Sequence, residues 1–327
     1  MDILEFKYKK VYTLLRVVSV FFLLSLFSCS KSESVREFDY LGETISVDLH
    51  KNRSLYNLYK EEDRAIYYYE DNKPDDTEEI YYKRLLLDNR DEAELRQFLS
   101  ELLVQEADYI DKLELLVAYI QSALPYDMKA FKSKKATTKF PYETYYLGKG
   151  VCGDKSILLG KCLSLLNYDF ALFIFDKANH MAVGIKVPPG YGNYGTDYAF
   201  IETTGKNPIG YVPEAFVNDI VLESNPKILT YQGDKMLTSF PQIQSRYVEL
   251  QQKYGEDILY FSANRYRLHI ELFEKKGELD ILDAAFTPYE GQTLDEEDYD
   301  KADVILKELN AVVKEYNRLV KRYNRAK

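Results

Sequence analysis

Apolar and polar positions change period several times along the chain, and each change marks an element. Residues 38–49 alternate with a break at Leu41-Gly42, which predicts a strand pair turning at the glycine. The runs 65–69 (AIYYY) and 79–87 (EIYYKRLLL) flank Asp71-Asn72-Lys73-Pro74-Asp75-Asp76, a pattern that predicts a β-hairpin over an acidic, solvated turn. That acidic run lacks the ligand order and the glycine of a calcium loop. Leu95, Phe98, Leu99, Leu102 and Leu103 fall at helical spacing, as do Leu113, Leu116, Val117 and Ile120. The second of these helices stops near Leu124-Pro125, because the residue before a proline is pushed out of helical space. Residues 129–139 are basic and polar and read as a loop. A third helix is expected from Cys152 through Leu166, then strands at 170–175, 181–187 and 198–202, with a Gly/Pro loop at 188–193. Helices leading into an antiparallel sheet make an α+β domain.

The tail has its own rhythm. Ala302, Ile305, Leu309, Val312, Tyr316, Leu319 and Tyr323 recur at alternating three- and four-residue steps, and Leu306, Val313 and Val320 widen the stripe. A terminal helix packed on its own domain is expected rather than a free coiled coil. Thr293 and Glu296 form its expected capping box.

The start of the chain reads as an address. Lys7, Lys9, Lys10 and Arg16 precede an apolar run at 17–26, too short to span a bilayer but suited to a signal peptide. The ending Leu26-Phe27-Ser28-Cys29 resembles a lipobox, at which bacteria diacylate the cysteine and cleave before it; Phe27 departs from the small residue usual there. The resemblance implies lipidation at Cys29 and a bilayer anchor in the cell envelope, and Ser30 after the cysteine resembles an outer-membrane sorting signal. The organisation expected is therefore a signal peptide (1–28), a tether (29–34), a β-rich N-terminal segment (35–89), a core (90–225) and a mixed C-terminal region (226–327) ending in the long amphipathic helix.

Composition narrows the picture further. The 46% hydrophobic and 29% charged content is that of a folded chain, and with 30 Tyr, 17 Phe and no Trp the core must be closed largely by tyrosine rings. A formal charge of −10 argues against a nucleic-acid partner. Three cysteines, Cys29, Cys152 and Cys162, are too few for a disulfide framework. Ten residues of helix separate the last two by about 15 Å, well beyond bridging distance. There is neither HExxH nor CxxC, and His50 and His269 lack companions at ligand spacing, so neither a metal nor another cofactor is expected.

The chemistry concentrates in Gly148-Lys149-Gly150-Val151-Cys152-Gly153-Asp154. Glycines let the backbone turn sharply, and the apolar helical run that follows sets Cys152 at a helix N-terminus, where free amides and the macrodipole favour a thiolate. The same amides can form an oxyanion hole. His180 opens a strand after the turn at 176–179, and the next strand ends at Glu202, where a carboxylate can hold the second imidazole nitrogen. Asp197, five residues earlier in the same strand, points to the opposite face. Cys162, inside the helix, reads as buried and inert.

This order of Cys, helix, strand, His and carboxylate over about residues 113–205 resembles the transglutaminase-like superfamily, a papain-like thiol acyl-transfer fold. Residues 140–148 resemble the stretch leading into its nucleophile, His180-Met181-Ala182 its His-Ala-aromatic, and Glu202-Thr203-Thr204 its Asp-Pro-Thr. The resemblance implies a catalytic triad of Cys152, His180 and Glu202 that attacks peptide or protein amide bonds through a thioester, with hydrolysis favoured over crosslinking. With no Trp to donate to the oxyanion, Tyr126 or Tyr142 takes that role. The alternatives are a non-catalytic peptide- or cell-wall-binding module on the same fold and a cell-wall amidase of the related papain-like type.

Overall fold

A computed structural model describes residues 35–69, 72, 74–133, 137–214, 221–222 and 224–326. The signal peptide, the tether and Cys29 lie outside the described residues. The architecture is mixed α+β, with strands at the N-terminal end, a central sheet and helices at the C-terminal end.

Strands β1 (Val35–Tyr40) and β2 (Glu43–Asp48) form the expected antiparallel pair. Gly42 turns between them at φ +89°, and a Cβ there would stand 2.7 Å from the Tyr266 ring. Helix α1 (Arg53–Glu61) follows, capped by Asn52. The expected hairpin at 65–69 and 79–87 does not form: 65–69 is irregular, and the second run is helix α2 (Thr77–Leu87). Asp76 explains the difference, because its carboxylate accepts the Glu79 amide at 2.9 Å as an N-cap. Glu78 and Glu79 complement the dipole of the first turn, while Tyr81, Tyr82, Leu85 and Leu86 recur at helical spacing toward the core. The last residue of the acidic run is thus a helix cap, and Asp76 also pairs with Lys227 at 2.7 Å.

Helices α3 (Glu92–Leu102) and α4 (Leu113–Ala118) appear where periodicity placed them. The second widens into a π-turn over Tyr119–Ala123 and stops before Pro125. A single turn, α5 (Met128–Phe131), interrupts the expected loop. Helix α6 (Pro141–Leu147) begins on a proline, with Glu143 accepting the Phe140 amide at 2.9 Å, and helix α7 runs Cys152–Leu165.

The sheet contains β3 (Phe170–Phe175), β4 (His180–Lys186), β5 (Tyr198–Ile201) and β6 (Lys227–Tyr231) in the order β5-β4-β3-β6, antiparallel throughout. Leu172, Val183, Ile185 and Ile201 turn toward the helical core, whereas Phe173, Phe175 and Phe200 form an aromatic cluster on the other face. Burial on both faces is why β3 reads as an unbroken apolar run, FALFIF. One continuous apolar cluster extends from Phe38 in β1 to Tyr247 in helix α8 (Phe240–Tyr254), so the segments 35–89, 90–225 and the start of 226–327 share a core. Buried Glu114 ties them together, accepting from the Ile110 and Asp111 amides, Tyr247 Oη at 3.0 Å, Tyr40 and Arg246.

Helices α9 (Ala263–Phe286) and α10 (Glu296–Tyr323) form an antiparallel hairpin, with Arg265 against Tyr323 and Lys275 paired with Glu315 at 3.1 Å. The expected Thr293 capping box is replaced by Asp295, which accepts the Asp298 amide at 2.8 Å; Thr293 lies too far outside the first turn to reach it. No helix among the described residues is long and apolar enough to cross a membrane.

Candidate active site

Three local devices fix the start of α7. Gly148 closes α6 in the left-handed region at φ +64°, and a Cβ on Gly150 would press 2.7 Å against that of Asp154. Asp154, three residues into the helix, accepts the Val151 amide at 3.1 Å and the Lys139 amide at 2.8 Å, and binds the Lys139 ammonium. The Cys152 and Gly153 amides, which head the helix, have no carbonyl partner within it. Gly153 has ordinary room for a Cβ beside Thr138, so its missing side chain leaves the mouth of the site open rather than relieving a clash.

Cys152 is partly exposed and lines a cleft of about 280 Å³ with Tyr82, Tyr126, Phe131, Asn179 and His180. Its Sγ lies 3.9 Å from the Asn179 carbonyl, and Asn179 turns the chain in the left-handed region just before β4. His180 is buried; its Nε2 lies 2.9 Å from Glu202 Oε2, and the imidazole also hydrogen-bonds the Cys152 sulfur. With Nε2 engaged by the carboxylate, the nitrogen left for sulfur is Nδ1. Glu202 is itself buried, and its other oxygen accepts from the Thr204 amide at 2.7 Å and from the Thr204 hydroxyl. The strand register accounts for the meeting. Val183 pairs with Ile201, so continuing the ladder sets Glu202 opposite Ala182, diagonal to His180 on the same face.

The structure thus brings together Cys152, His180 and Glu202, which lie far apart in the chain. Asp197 does not join them: it lies beyond the far end of the β4–β5 ladder, where its carbonyl accepts the Val187 amide at 2.9 Å. Of the two tyrosines proposed for the oxyanion, Tyr126 lines the cleft, while Tyr142 is buried with its hydroxyl against the Asn52 amide at 2.6 Å. Cys162 is fully buried, and burial raises its thiol well above the ordinary range. His50 pairs with Glu101 at 2.8 Å, and His269 bonds the Tyr254 carbonyl at 2.7 Å, both away from the cleft. Among the described residues no group of three or more His, Cys, Asp or Glu is placed to hold a metal.

Several residues at the site were not singled out from sequence. Tyr82 reaches the cleft only because 77–87 is a helix. Ser156, one turn beyond Cys152, donates to the Met181 carbonyl at 3.0 Å and shares a 3.1 Å hydrogen bond with Thr203. It therefore joins the cysteine helix to the neighbours of both His180 and Glu202. Gln121, in the π-turn, donates to the Glu202 carbonyl at 2.8 Å and to the Asn207 carbonyl at 3.0 Å. Buried Lys155 donates to the Leu124 carbonyl at 2.9 Å. Their sequence signal is a polar side chain inside an apolar helical run.

Electrostatics favours a protonated imidazole at the cleft. Burial opposes a proton on His180, but the hydrogen bonds to Cys152 and Glu202, reinforced by their negative charges, outweigh it and raise the imidazole to about 9. Burial lowers Lys155 to about 8 against the attraction of Glu202 and Cys152. Burial raises Tyr126, and the negative charge of Cys152 adds to it, so its hydroxyl stays protonated as a donor. None of the protein-family models compared with the chain matches it, and none of the curated proteins compared is significantly similar.

Proposed function

We propose that the chain is a transglutaminase-like thiol hydrolase or acyltransferase that cleaves peptide or protein amide bonds through a Cys152 thioester, held at the bacterial cell envelope by lipid on Cys29. The observation that carries the reading is the single chain of contacts from the Cys152 sulfur through the His180 ring to Glu202 at 2.9 Å, opening onto a cleft. The membrane anchor rests on the sequence of residues 1–30 alone.

In this mechanism His180 takes the thiol proton, and the resulting imidazolium is stabilised by Glu202. The thiolate attacks the amide carbonyl, and the oxyanion is met by the Cys152 amide and the Tyr126 hydroxyl. Collapse breaks the C–N bond as His180 gives its proton to the leaving amine, leaving a thioester. Water, deprotonated by His180, then releases a carboxylate; an amine in the same position would give a new amide. Cys152 is partly exposed to solvent, which favours water as the acceptor.

The test is acylation by a peptide-amide substrate, followed by intact mass. Cys152→Ala and His180→Ala should each abolish the thioester adduct with the fold preserved, and Cys162→Ala should leave it unchanged. If alkylation mapping of the folded protein labelled Cys162 faster than Cys152, the assignment of the nucleophile would be wrong. A wild-type chain that bound peptide without forming any adduct would favour a non-catalytic binding module.

A further inference from the structure

Helix α10 is 28 residues long, about 42 Å, yet only Ala302 and Leu319 on it are fully buried. Its packing stripe rests on α9. A second apolar line, Tyr299, Leu306, Val313 and Val320, recurs every seven residues; Tyr299 is 63% exposed, Leu306 39% and Val313 38%. In sequence, Leu306, Val313 and Val320 only widened the stripe; the exposure shows that this edge is left partly uncovered, with Val320 half-buried at its end.

Charge along the same helix is strongly asymmetric. Residues 295–303 carry six acidic side chains and one basic, and residues 314–325 carry five basic and one acidic. On the exposed flank, Lys314, Lys321 and Arg325 have no ion-pair partner among the described residues, nor has Glu296. An acidic half would repel an anionic membrane, so the face is ill-suited to lie on one.

The geometry points to a second copy of this chain as the occupant: α10 pairs with α10 of another molecule, antiparallel, about a two-fold axis near Asn310. The midpoint of Leu306 and Val313 coincides with the middle of the helix, so an antiparallel copy sets Leu306 against Val313 and Tyr299 against Val320. In such a pair like flanks face each other, which brings Glu296 and Asp303 within a turn of Lys321 and Lys314 of the second copy. A parallel pair would instead align acid with acid and base with base. The attraction is therefore self-complementary in one orientation only.

Sedimentation equilibrium of the protein, in a non-ionic detergent that masks its N-terminal anchor, tests this. The wild type should show a monomer–dimer equilibrium that weakens with salt, as exposed charge pairs do. Leu306→Glu with Val313→Glu should weaken it on the order of 100-fold, reflecting loss of the central apolar contacts, with helical content retained because both side chains are exposed. Lys314→Glu/Lys321→Glu and Glu296→Lys/Asp303→Lys should each be largely monomeric, and an equimolar mixture of the two should dimerise again. That rescue excludes simple misfolding. A wild type that stays monomeric up to about 100 μM, a dimer that survives the Leu306/Val313 changes, or a mixture no more associated than its parts would each overturn the proposal.

Discussion

Replacing Glu202 by Gln removes one negative charge while keeping the length of the side chain, and the structure fixes what that does. Three donors converge on the carboxylate: the His180 ring at 2.9 Å, the Thr204 amide at 2.7 Å and the Thr204 hydroxyl. Gln offers one acceptor oxygen and an NH₂ group, so at least one of these donors must face a donor or turn away. A hydrogen bond to a charged group is worth about 1.5–3 kcal/mol, which at 1.36 kcal/mol per pH unit is about one to two units on the imidazole. His180 should fall from about 9 toward about 7–8. The same free energy, lost from the imidazolium-bearing transition state, slows acylation by about 10- to 150-fold. Serine-protease triads lose about 10⁴ on the equivalent change; a thiol, already more acidic than a hydroxyl, depends less on its third partner.

The assay is the pH dependence of Cys152 alkylation, read by peptide mass mapping, in wild type, Glu202→Gln and Asp197→Asn. The step at which the His180 imidazole loses its proton, about 9 in the wild type, should be displaced downward in the first variant and unchanged in the second. Stability gives an independent reading. His180 titrates higher in the folded chain than its ordinary value of about 6.5, so the stabilisation its proton brings is fully present below about pH 6.5 and lost as pH rises through about 9. In Glu202→Gln that window should narrow from its upper end. A Cys152 profile that moves in Asp197→Asn and not in Glu202→Gln refutes the reasoning.

Two further outcomes follow from buried polar groups. Glu114→Ala leaves the Tyr40 and Tyr247 hydroxyls, two backbone amides and the Arg246 guanidinium without their acceptor, and should cost about 3–5 kcal/mol in urea unfolding, as removing one partner of a buried ion pair does; a loss below about 1 kcal/mol would show that this knot does not join β1, α4 and α8. Ser156→Ala should cost about 1–3 kcal/mol and also slow Cys152 alkylation, because it releases the cysteine helix from Met181 and Thr203. Unchanged alkylation with reduced stability would reduce Ser156 to a packing role.

The parts legible in sequence are those where one physical signal dominates. β3 is an apolar run too short for a helix and buried on both faces, so its bounds emerge unaided. The pairing of His180 with Glu202 rather than Asp197 is what the two-residue period of a strand leads one to expect, and His180 Nε2 lies 2.9 Å from Glu202. Where two signals compete, the reading fails. Tyr- and Leu-rich 79–87 favours a strand by composition, but an N-cap at Asp76 and the four-residue recurrence of Tyr81, Tyr82, Leu85 and Leu86 decide for a helix. The choice between Tyr126 and Tyr142 is not encoded locally at all: both precede Cys152 beside a proline, and only the folding of Asn52 onto Tyr142 removes the latter from the cleft. Lys155 and Ser156 do carry a signal, since polar side chains on consecutive positions of an apolar helix must find partners when buried. Those partners are the carbonyls of Leu124 and Met181, which belong to the segments leading to Tyr126 and His180. A buried polar residue within one turn of a candidate nucleophile thus points to the chain segments that must be held beside it, before any distance is known.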